Sequence, residues 1–147
     1  MPLRLEMVTA ERSVLSDRGI DSITAPGILG ELTILPEHAP LITPLHLGEL
    51  RVRKGGEENA YFVAGGFLEV RDDLVTILAD AAEHAEEIDV AAAEEARRRA
   101  QETLASRQDK IELADAQASL QRALFRLRVA ERRRRSRPVP GQPRPGS

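Results

Sequence analysis

The residues best suited to chemistry in this chain are the arginines near its C-terminal end. Eight arginines fall between Arg122 and Arg137, with Glu131 as the only acidic residue among them. A guanidinium group stays charged and offers planar, bidentate hydrogen bonds to carboxylates and phosphates. At this density the arginines repel one another and weaken a helix, unless a partner supplies negative charge. The cluster therefore predicts a surface that binds anions.

An acidic segment precedes these arginines. Asp80 to Glu95 holds seven acidic residues and no lysine or arginine, so the net charge of −3 conceals two segregated blocks. The segment has neither EF-hand spacing nor a glycine at the turn position, cysteine is absent, and the three histidines are scattered. We predict a solvated junction here and no metal site.

Histidine is a frequent acid or base in active sites, and His38 stands between Pro36 and Pro40. No serine, carboxylate pair or second histidine lies beside it in the pattern of a nucleophile and its base. We predict that His38 stabilises a turn through its hydrogen bonds, and that His46 and His84 are surface or loop residues. The sequence offers no set of catalytic residues.

Gly65 and Gly66 form the remaining motif that could cradle a phosphate. They lack the Lys-Ser/Thr ending of a P-loop and the G-x-G-x-x-G spacing of a dinucleotide fold. The pair favours a bend or bulge in a strand.

The elements that must position these residues fall into two halves. The eight glycines before the C-terminal tail lie at or before Gly66, and the five prolines lie at or before Pro44. Both residue types punctuate short strands and break helices. Alternating apolar residues such as Leu3 and Leu5 mark strands. We therefore predict an antiparallel β-sandwich or flattened barrel of many short strands over residues 1–85.

The second half can sustain long helices. Asp89 is placed to cap a helix that runs to about Ser106, and a second helix should begin after Asp109, where Glu112 completes a D-x-x-E capping pattern. Because the break between the helices is short, they should pack as an antiparallel hairpin over residues 86–135.

The facing surfaces of the two predicted helices are rich in alanine, which buries little, so the hairpin should be marginally stable. Glu94 and Glu95 precede Arg98 and Arg99 by one turn and predict i,i+4 ion pairs. Residues 136–147 are rich in proline and predict a disordered tail.

Five stretches carry a family resemblance: Gly27 to Gly48, Tyr61 to Val70, Val75 to Asp80, Ala85 to Asp89, and Leu120 to Leu127. In the first of them, glycines and prolines are spaced so that strands end and turn at set positions. Together the stretches resemble the epsilon subunit of F-type ATP synthases, in that family's order and over nearly the whole chain.

The resemblance implies a non-catalytic rotor subunit of the central stalk, which couples proton flow to ATP synthesis. By this likeness the β domain docks on the gamma subunit and the c-ring, whereas the hairpin is regulatory and, when extended, inhibits ATP hydrolysis. The chain would be peripheral, at the cytoplasmic face of the cell membrane. It would not insert, since no apolar stretch approaches the ~20 residues that a membrane helix needs.

The resemblance also assigns residues. The basic second helix would meet an acidic segment of the catalytic beta subunits, within the alpha/beta head, through Arg122, Arg126, Arg132, Arg133 and Arg134. Some members of the family bind ATP on the folded hairpin, and the matching positions here are Glu83, Ile88, Asp89, Arg99, Arg122 and Arg126. Ala92 stands where that motif has an arginine, so binding of regulatory ATP would be weakened. No other cofactor is implied.

Two other classes of protein fit the residues without the resemblance. A β-sandwich adaptor with a basic arm, outside any ATP synthase, would bind its partners in the absence of gamma. A nucleic-acid binder would use the arginine-rich end, but Phe125 is the only aromatic residue near it and no recognised reading module is present. We therefore expect no nucleic acid among the partners.

Overall fold

The computed structural model describes residues 1–106 and 110–136, with side chains as far as Arg133. The strands in this part of the chain are β1 (Leu3–Val8), β2 (Ser13–Ile20), β3 (Ser22–Gly27), β4 (Gly30–Ile34), β5 (Leu41–Lys54), β6 (Glu57–Arg71), β7 (Leu74–Ala79) and β8 (Ala82–His84). They are followed by a 3₁₀ turn (Ala85–Glu87) and the helices α1 (Val90–Ala105) and α2 (Lys110–Ser136). The predicted cap at Asp109 lies outside the described residues, as does the predicted tail after Ser136.

The strands form one sheet that folds over on itself. Its order is β2-β1-β7-β6-β5-β3-β4, with β8 paired to β6. Leu5 of β1 and Ile34 of β4 come from distant positions in this order, yet both are fully buried in the same core. Two layers therefore face each other, as the sequence predicted. The strand pairs are antiparallel except for β1 with β7, which are parallel.

Strands β5 and β6 are longer than the predicted short strands, at 14 and 15 residues. Gly65 and Gly66 lie inside β6 with positive φ (87° and 113°), and a side chain at Gly66 would collide with the carbonyl oxygen of Leu78. The β5–β6 register continues past them without an inserted residue. The glycines therefore bend one continuous strand at the point where its neighbour changes from β7 to β8.

The middle of β6 is buried on both faces. Tyr61 and Val63 belong to the sandwich core. Phe62, between them in sequence, lies in a second apolar cluster with Ile88 and Val129. Since Val129 belongs to α2, that helix covers the outer face of β6. This contact determines where the cationic side chains of α2 meet the sheet.

Helix α1 begins and ends where the sequence predicted. The Asp89 carboxylate accepts a hydrogen bond from the backbone N–H of Ala92 (3.0 Å), so Asp89 is the N-cap. Ser106 follows the last helical residue and closes the helix with a backbone hydrogen bond to the carbonyl oxygen of Glu102 (3.1 Å). Both ends of α1 are thus satisfied locally.

The two helices meet through alanines. Ala93 and Ala100 of α1 are buried, as are Ala116 and Ala123 of α2, and each pair spans two helical turns. Residues from the end of α1 and the start of α2 line the same groove, which confirms the antiparallel hairpin. A buried methyl group contributes only about 0.8 kcal/mol, so the packing between the helices is thin.

Ion pairs along α1 differ from the prediction in one respect. Glu95 binds Arg99 (3.3 Å) as predicted. Glu94 binds Arg97 (2.6 Å) in place of the predicted Arg98. The reason is that Arg98 already binds Glu95, at 2.7 Å.

The predicted surface or loop position is wrong for His84. This residue ends β8 and is half-buried, with its ring edge-on to Tyr61 at 4.8 Å between centroids. Its Nδ1 accepts a hydrogen bond from the backbone N–H of Glu86 (3.2 Å). The sequence hid this contact because Tyr61 lies far away along the chain. His38 Nδ1 lies 2.7 Å from the carbonyl oxygen of Ala39, next to the turn where it was predicted to act.

Candidate functional site between helix α2 and the sheet

A bidentate ion pair joins α2 to the β domain. Arg126 Nε donates to Glu83 Oε2 at 2.7 Å, and Arg126 Nη2 donates to Glu83 Oε1 at 2.8 Å. The β6–β8 register places Glu83 opposite Phe62, beside the second apolar cluster. The two side chains are 19% and 28% exposed, so water screens this pair less than a surface pair.

Arg133 makes a second connection, two turns further along α2. Its Nε and Nη2 both donate to Glu86 Oε1, at 3.1 and 2.9 Å, and its Nη1 donates to the backbone carbonyl oxygen of Glu58 at 3.0 Å. Because two turns of helix separate Arg126 from Arg133, both side chains fall on one face of α2. That face can therefore satisfy both contacts at once.

Glu49 of β5 is the third anion beneath α2. Arg132 Nη1 lies 2.9 Å from Glu49 Oε1, and Arg51 Nη1 lies 3.8 Å from the same oxygen. The Glu49 side chain is only 12% exposed. This burial raises the pKa of the carboxyl group, although the charges of Arg132 and Arg51 act to lower it. The site thus contains a poorly hydrated carboxylate whose negative charge is balanced by two nearby arginines.

An open groove of about 420 Å³ runs beside α2, over β3 and β5. Pro26, Leu47 and Phe125 form part of its apolar wall. The Arg128 guanidinium lies over the Phe125 ring, 4.9 Å from the centroid. His46 lines the same groove from an exposed position on β5, which agrees with its predicted surface location. The helix therefore covers only part of the outer face of the sheet.

The arginines predicted to contact another subunit largely have partners within the chain. Arg126, Arg132 and Arg133 bind carboxylates of the β domain and the 3₁₀ turn. Arg122 is exposed on α2. The side chain of Arg134 lies outside the described residues. The structure therefore shows Arg126, Arg132 and Arg133 in a closed arrangement, with the hairpin folded on the sandwich.

The acidic segment is more than the solvated junction that the sequence predicted. Glu83 and Glu86 bind arginines of α2, and that prediction is wrong for both residues. The opposite charges of the two blocks were the signal that could have revealed the contact. Glu49 carried no such signal, because it is a lone acidic residue within a strand.

The structure brings some of the predicted ATP-binding residues together and leaves others apart. Glu83 and Arg126 are in direct contact. Ile88 is buried in the second apolar cluster, and the Asp89 carboxylate is engaged as the cap of α1. The remaining two are exposed arginines on different helices, Arg99 and Arg122.

Within residues 1–106 and 110–136, no three metal-ligating side chains lie close enough together to hold an ion. In the same part of the chain, neither helix combines the length and apolar character that crossing a bilayer requires. The described residues do form a set of ion pairs that join helix α2 to the sheet and to the 3₁₀ turn.

The two halves of the chain match two described domains of one family. Residues 2–85 match the β-sandwich domain of the ATP synthase delta/epsilon chain, and residues 86–131 match its long alpha-helix domain. The ATP synthase epsilon chain of Dehalococcoides mccartyi (strain CBDB1) is 54% identical over 134 residues, which cover 90% of this chain and 95% of the relative. The epsilon chain of Herpetosiphon aurantiacus is 49% identical over 134 residues, which cover 91% and 98%.

Solved structures give the same picture. A chain of the Euglena gracilis mitochondrial ATP synthase, in an assembly of OSCP, F1 and c-ring, superposes with a TM-score of 0.74 at 25% identity, over 88% of this chain and 81% of that chain. A chain of the Tetrahymena thermophila mitochondrial ATP synthase, from its central stalk and c-ring, has a TM-score of 0.60 at 16% identity, over 88% and 97%. The second likeness shows a shared fold.

Proposed function

This chain belongs to the epsilon chain family of ATP synthases, and from that premise we propose that it is a rotor subunit of the central stalk. The proposal is supported mainly by the extent of the family match, because both domains of the family match in order over residues 2–131. In this role the chain couples proton flow to ATP synthesis without catalysing a reaction itself. It lies at the cytoplasmic face of the cell membrane as a peripheral part of the complex. An adaptor outside ATP synthase is not favoured, since relatives at about half identity are epsilon chains.

The docking surface is inferred from exposed apolar residues of the β domain. Phe67 of β6 and Leu78 of β7 are paired neighbours, each 55% exposed. Ile42 of β5 is 71% exposed on the same face, and Leu29 in the β3–β4 turn is fully exposed. Several large exposed apolar side chains on one domain favour an interaction site there. The gamma subunit is the proposed partner of the strand face, and the c-ring is the proposed partner of the turn.

Co-purification with gamma tests this docking. Ile42→Asp places a charge on the apolar face and should weaken recovery of the gamma complex at least tenfold. Ile111→Asp is the matched control, because Ile111 is 75% exposed but lies on α2. Full recovery of gamma by Ile42→Asp would contradict the proposed surface.

The hairpin is proposed to open, and its extended form to inhibit ATP hydrolysis. In the closed arrangement Arg126, Arg132 and Arg133 bind carboxylates of the same chain. On opening, they would bind acidic groups of the catalytic beta subunits, so one set of ion pairs replaces another. Moving such an equilibrium from 1:99 to 99:1 needs about 5.5 kcal/mol of differential affinity. Several charge pairs, or a bound nucleotide, can supply a difference of that size.

Two changes should move ATP hydrolysis by the assembled complex in opposite directions. Deletion of the residues after Asp109 removes α2 and should raise hydrolysis. Glu83→Gln frees Arg126 from its partner, favours the extended hairpin and should lower hydrolysis. Asp17→Asn is the control, since it breaks a 2.8 Å surface pair with Lys54, away from α2. Equal hydrolysis in all of these complexes would contradict the proposed inhibition.

Regulatory ATP is proposed to favour the closed hairpin, with reduced affinity in this chain. A phosphate would find Arg126 already bound to Glu83, and the exposed Ala92 contributes a methyl group where a guanidinium is needed. Nucleotide titration of the isolated chain measures the affinity. Ala92→Arg should tighten binding about tenfold or more, whereas Ala91→Arg, also exposed on the first turn of α1, should not. Equal affinity in both variants would remove Ala92 from the explanation.

A further inference from the structure

Four charged side chains form a continuous series from α2 to the β3–β4 turn. Arg132 of α2 binds Glu49 of β5 at 2.9 Å. Glu49 contacts Arg51 of the same strand at 3.8 Å, and Arg51 binds Glu31 of β4 at 2.8 Å. Glu31 is the second residue of β4, directly after the turn. We refer to Arg132, Glu49, Arg51 and Glu31 as the relay.

One atom lies at the centre of the relay. Glu49 Oε1 lies 2.9 Å from Arg132 Nη1 and 3.8 Å from Arg51 Nη1. The contact with Arg51 is the longer one, because the other terminal nitrogen of Arg51 donates to Glu31 Oε1 at 2.8 Å. Glu49 is 12% exposed, and a carboxylate so far removed from water needs a nearby guanidinium. The two arginines therefore compete for one poorly hydrated oxygen.

We propose that the charge at Glu31 controls how firmly Arg132 holds α2 against the sheet. While Glu31 binds Arg51, the carboxylate of Glu49 is left mainly to Arg132 and the hairpin stays closed. When Glu31 is neutralised, or engaged by a cationic group of a partner, Arg51 turns towards Glu49. The approaching charge also repels Arg132, so both effects favour opening. Arg51 is thus a positioning residue that links the β3–β4 turn to the hairpin.

The relay rests on the proposed opening of the hairpin, and it can be tested in the isolated full-length chain. The chain has no cysteine, so Ala64→Cys introduces a single thiol. Ala64 is 9% exposed in the apolar cluster beneath α2, so a thiol reagent reaches this position only when the helix leaves the sheet. The labelling rate, relative to the denatured chain, then gives the open-to-closed ratio.

In the Ala64→Cys background, Glu31→Gln should raise the open-to-closed ratio about two- to fivefold, the size of effect that an exposed ion pair supports. Glu31→Lys should raise it further. Arg51→Gln should lower the ratio or leave it unchanged, and in that background Glu31→Gln should have no effect, because the competing charge is gone. Asp17→Asn is the control for loss of a carboxylate elsewhere on the sheet and should not change the ratio.

Glu83→Gln separates failure of the relay from failure of the opening. If Glu83→Gln raises labelling but Glu31→Gln does not, the hairpin opens and the relay is wrong. A rise with Glu31→Gln that persists with Arg51→Gln, or that Asp17→Asn reproduces, also overturns the relay. If Glu83→Gln has no effect on labelling, the proposed opening is wrong and the relay falls with it.

Discussion

Different kinds of interaction stabilise the β domain and the helical hairpin. The sandwich core contains large aliphatic side chains with no exposed surface, such as Leu3, Ile23 and Leu50. The hairpin packs through alanines, and it is held to the sheet by arginine–carboxylate pairs around a small apolar cluster that includes Phe62 and Val129. Apolar burial is lost when surfaces separate, whereas a guanidinium can exchange one carboxylate for another. One chain thus combines a domain with a large apolar core and a helical hairpin held on it mainly by charged side chains.

The largest effect on stability should follow from a substitution in the sandwich core. Ile77→Ala removes a fully buried side chain of β7 and should lower the free energy of unfolding by about 2 to 5 kcal/mol. Urea denaturation of the isolated chain measures this value. Thr76→Ala, on the neighbouring half-buried position, should cost less than about 1 kcal/mol. Equal losses would show that the sandwich core does not dominate stability.

A smaller effect should follow from a change in the apolar contact between α2 and the sheet. Val129→Ala removes two methyl groups from a side chain that is 1% exposed beneath α2, at about 0.8 kcal/mol each. Hydrogen exchange should become faster in α2 while the amides of β1 keep their protection. Leu124→Ala, at a position 41% exposed on the same helix, is the control and should change exchange little. Equal acceleration in both regions would mean that the hairpin does not open as a unit.

The smallest effect is a difference in pH dependence between two carboxyl groups, Glu49 beneath α2 and Asp17 on the sandwich. Burial raises the pKa of Glu49, so folding of the chain takes up a proton at this group. Its stabilising contribution is complete below the ordinary value of 4.5 and is lost as pH rises through the raised pKa. The hydrogen bond from Lys54 lowers the pKa of Asp17, whose contribution is present above 3.8 and is lost on further acidification. The contributions of Glu49 and Asp17 to the stability of the fold should therefore respond to acid with opposite signs.

Urea denaturation of the isolated chain across the pH range measures both contributions. Glu49→Gln should remove the contribution that is lost as pH rises, and Asp17→Asn should remove the one that is lost on acidification. If Glu49→Gln instead removes a loss of stability on acidification, the sign inferred for Glu49 is wrong. The charged and titratable groups that face or surround the Glu49 carboxyl are Arg132, Arg51, Arg128, Glu31, Glu58 and His46.

Local signals allowed much of this fold to be predicted. The alternation of Leu3 and Leu5 indicated a strand with one buried face, and Asp89 marked the start of α1. The long strands were missed because glycines and prolines in general were interpreted as the ends of short strands, although a bend or bulge within a strand was predicted at Gly65 and Gly66. Inside a paired strand, their positive φ values let β6 continue past a close backbone contact, which only the tertiary structure reveals.

The candidate site was predictable in kind but not in detail. The density of arginines in α2 predicted that acidic partners must exist. It did not identify Glu83, which meets Arg126 from 43 positions away in the sequence. Glu49 could not be found from sequence at all, because its role depends on the helix that covers it.

Because β6 is buried on both faces, an opening of the hairpin exposes apolar side chains to water. Phe62, 1% exposed when covered, and Ile88, 7% exposed, would both face water once the helix lifts. This exposed apolar surface would favour association, and two open molecules could bury each other's exposed residues. An open hairpin therefore needs a binding partner, because without one the chains will self-associate as their concentration rises.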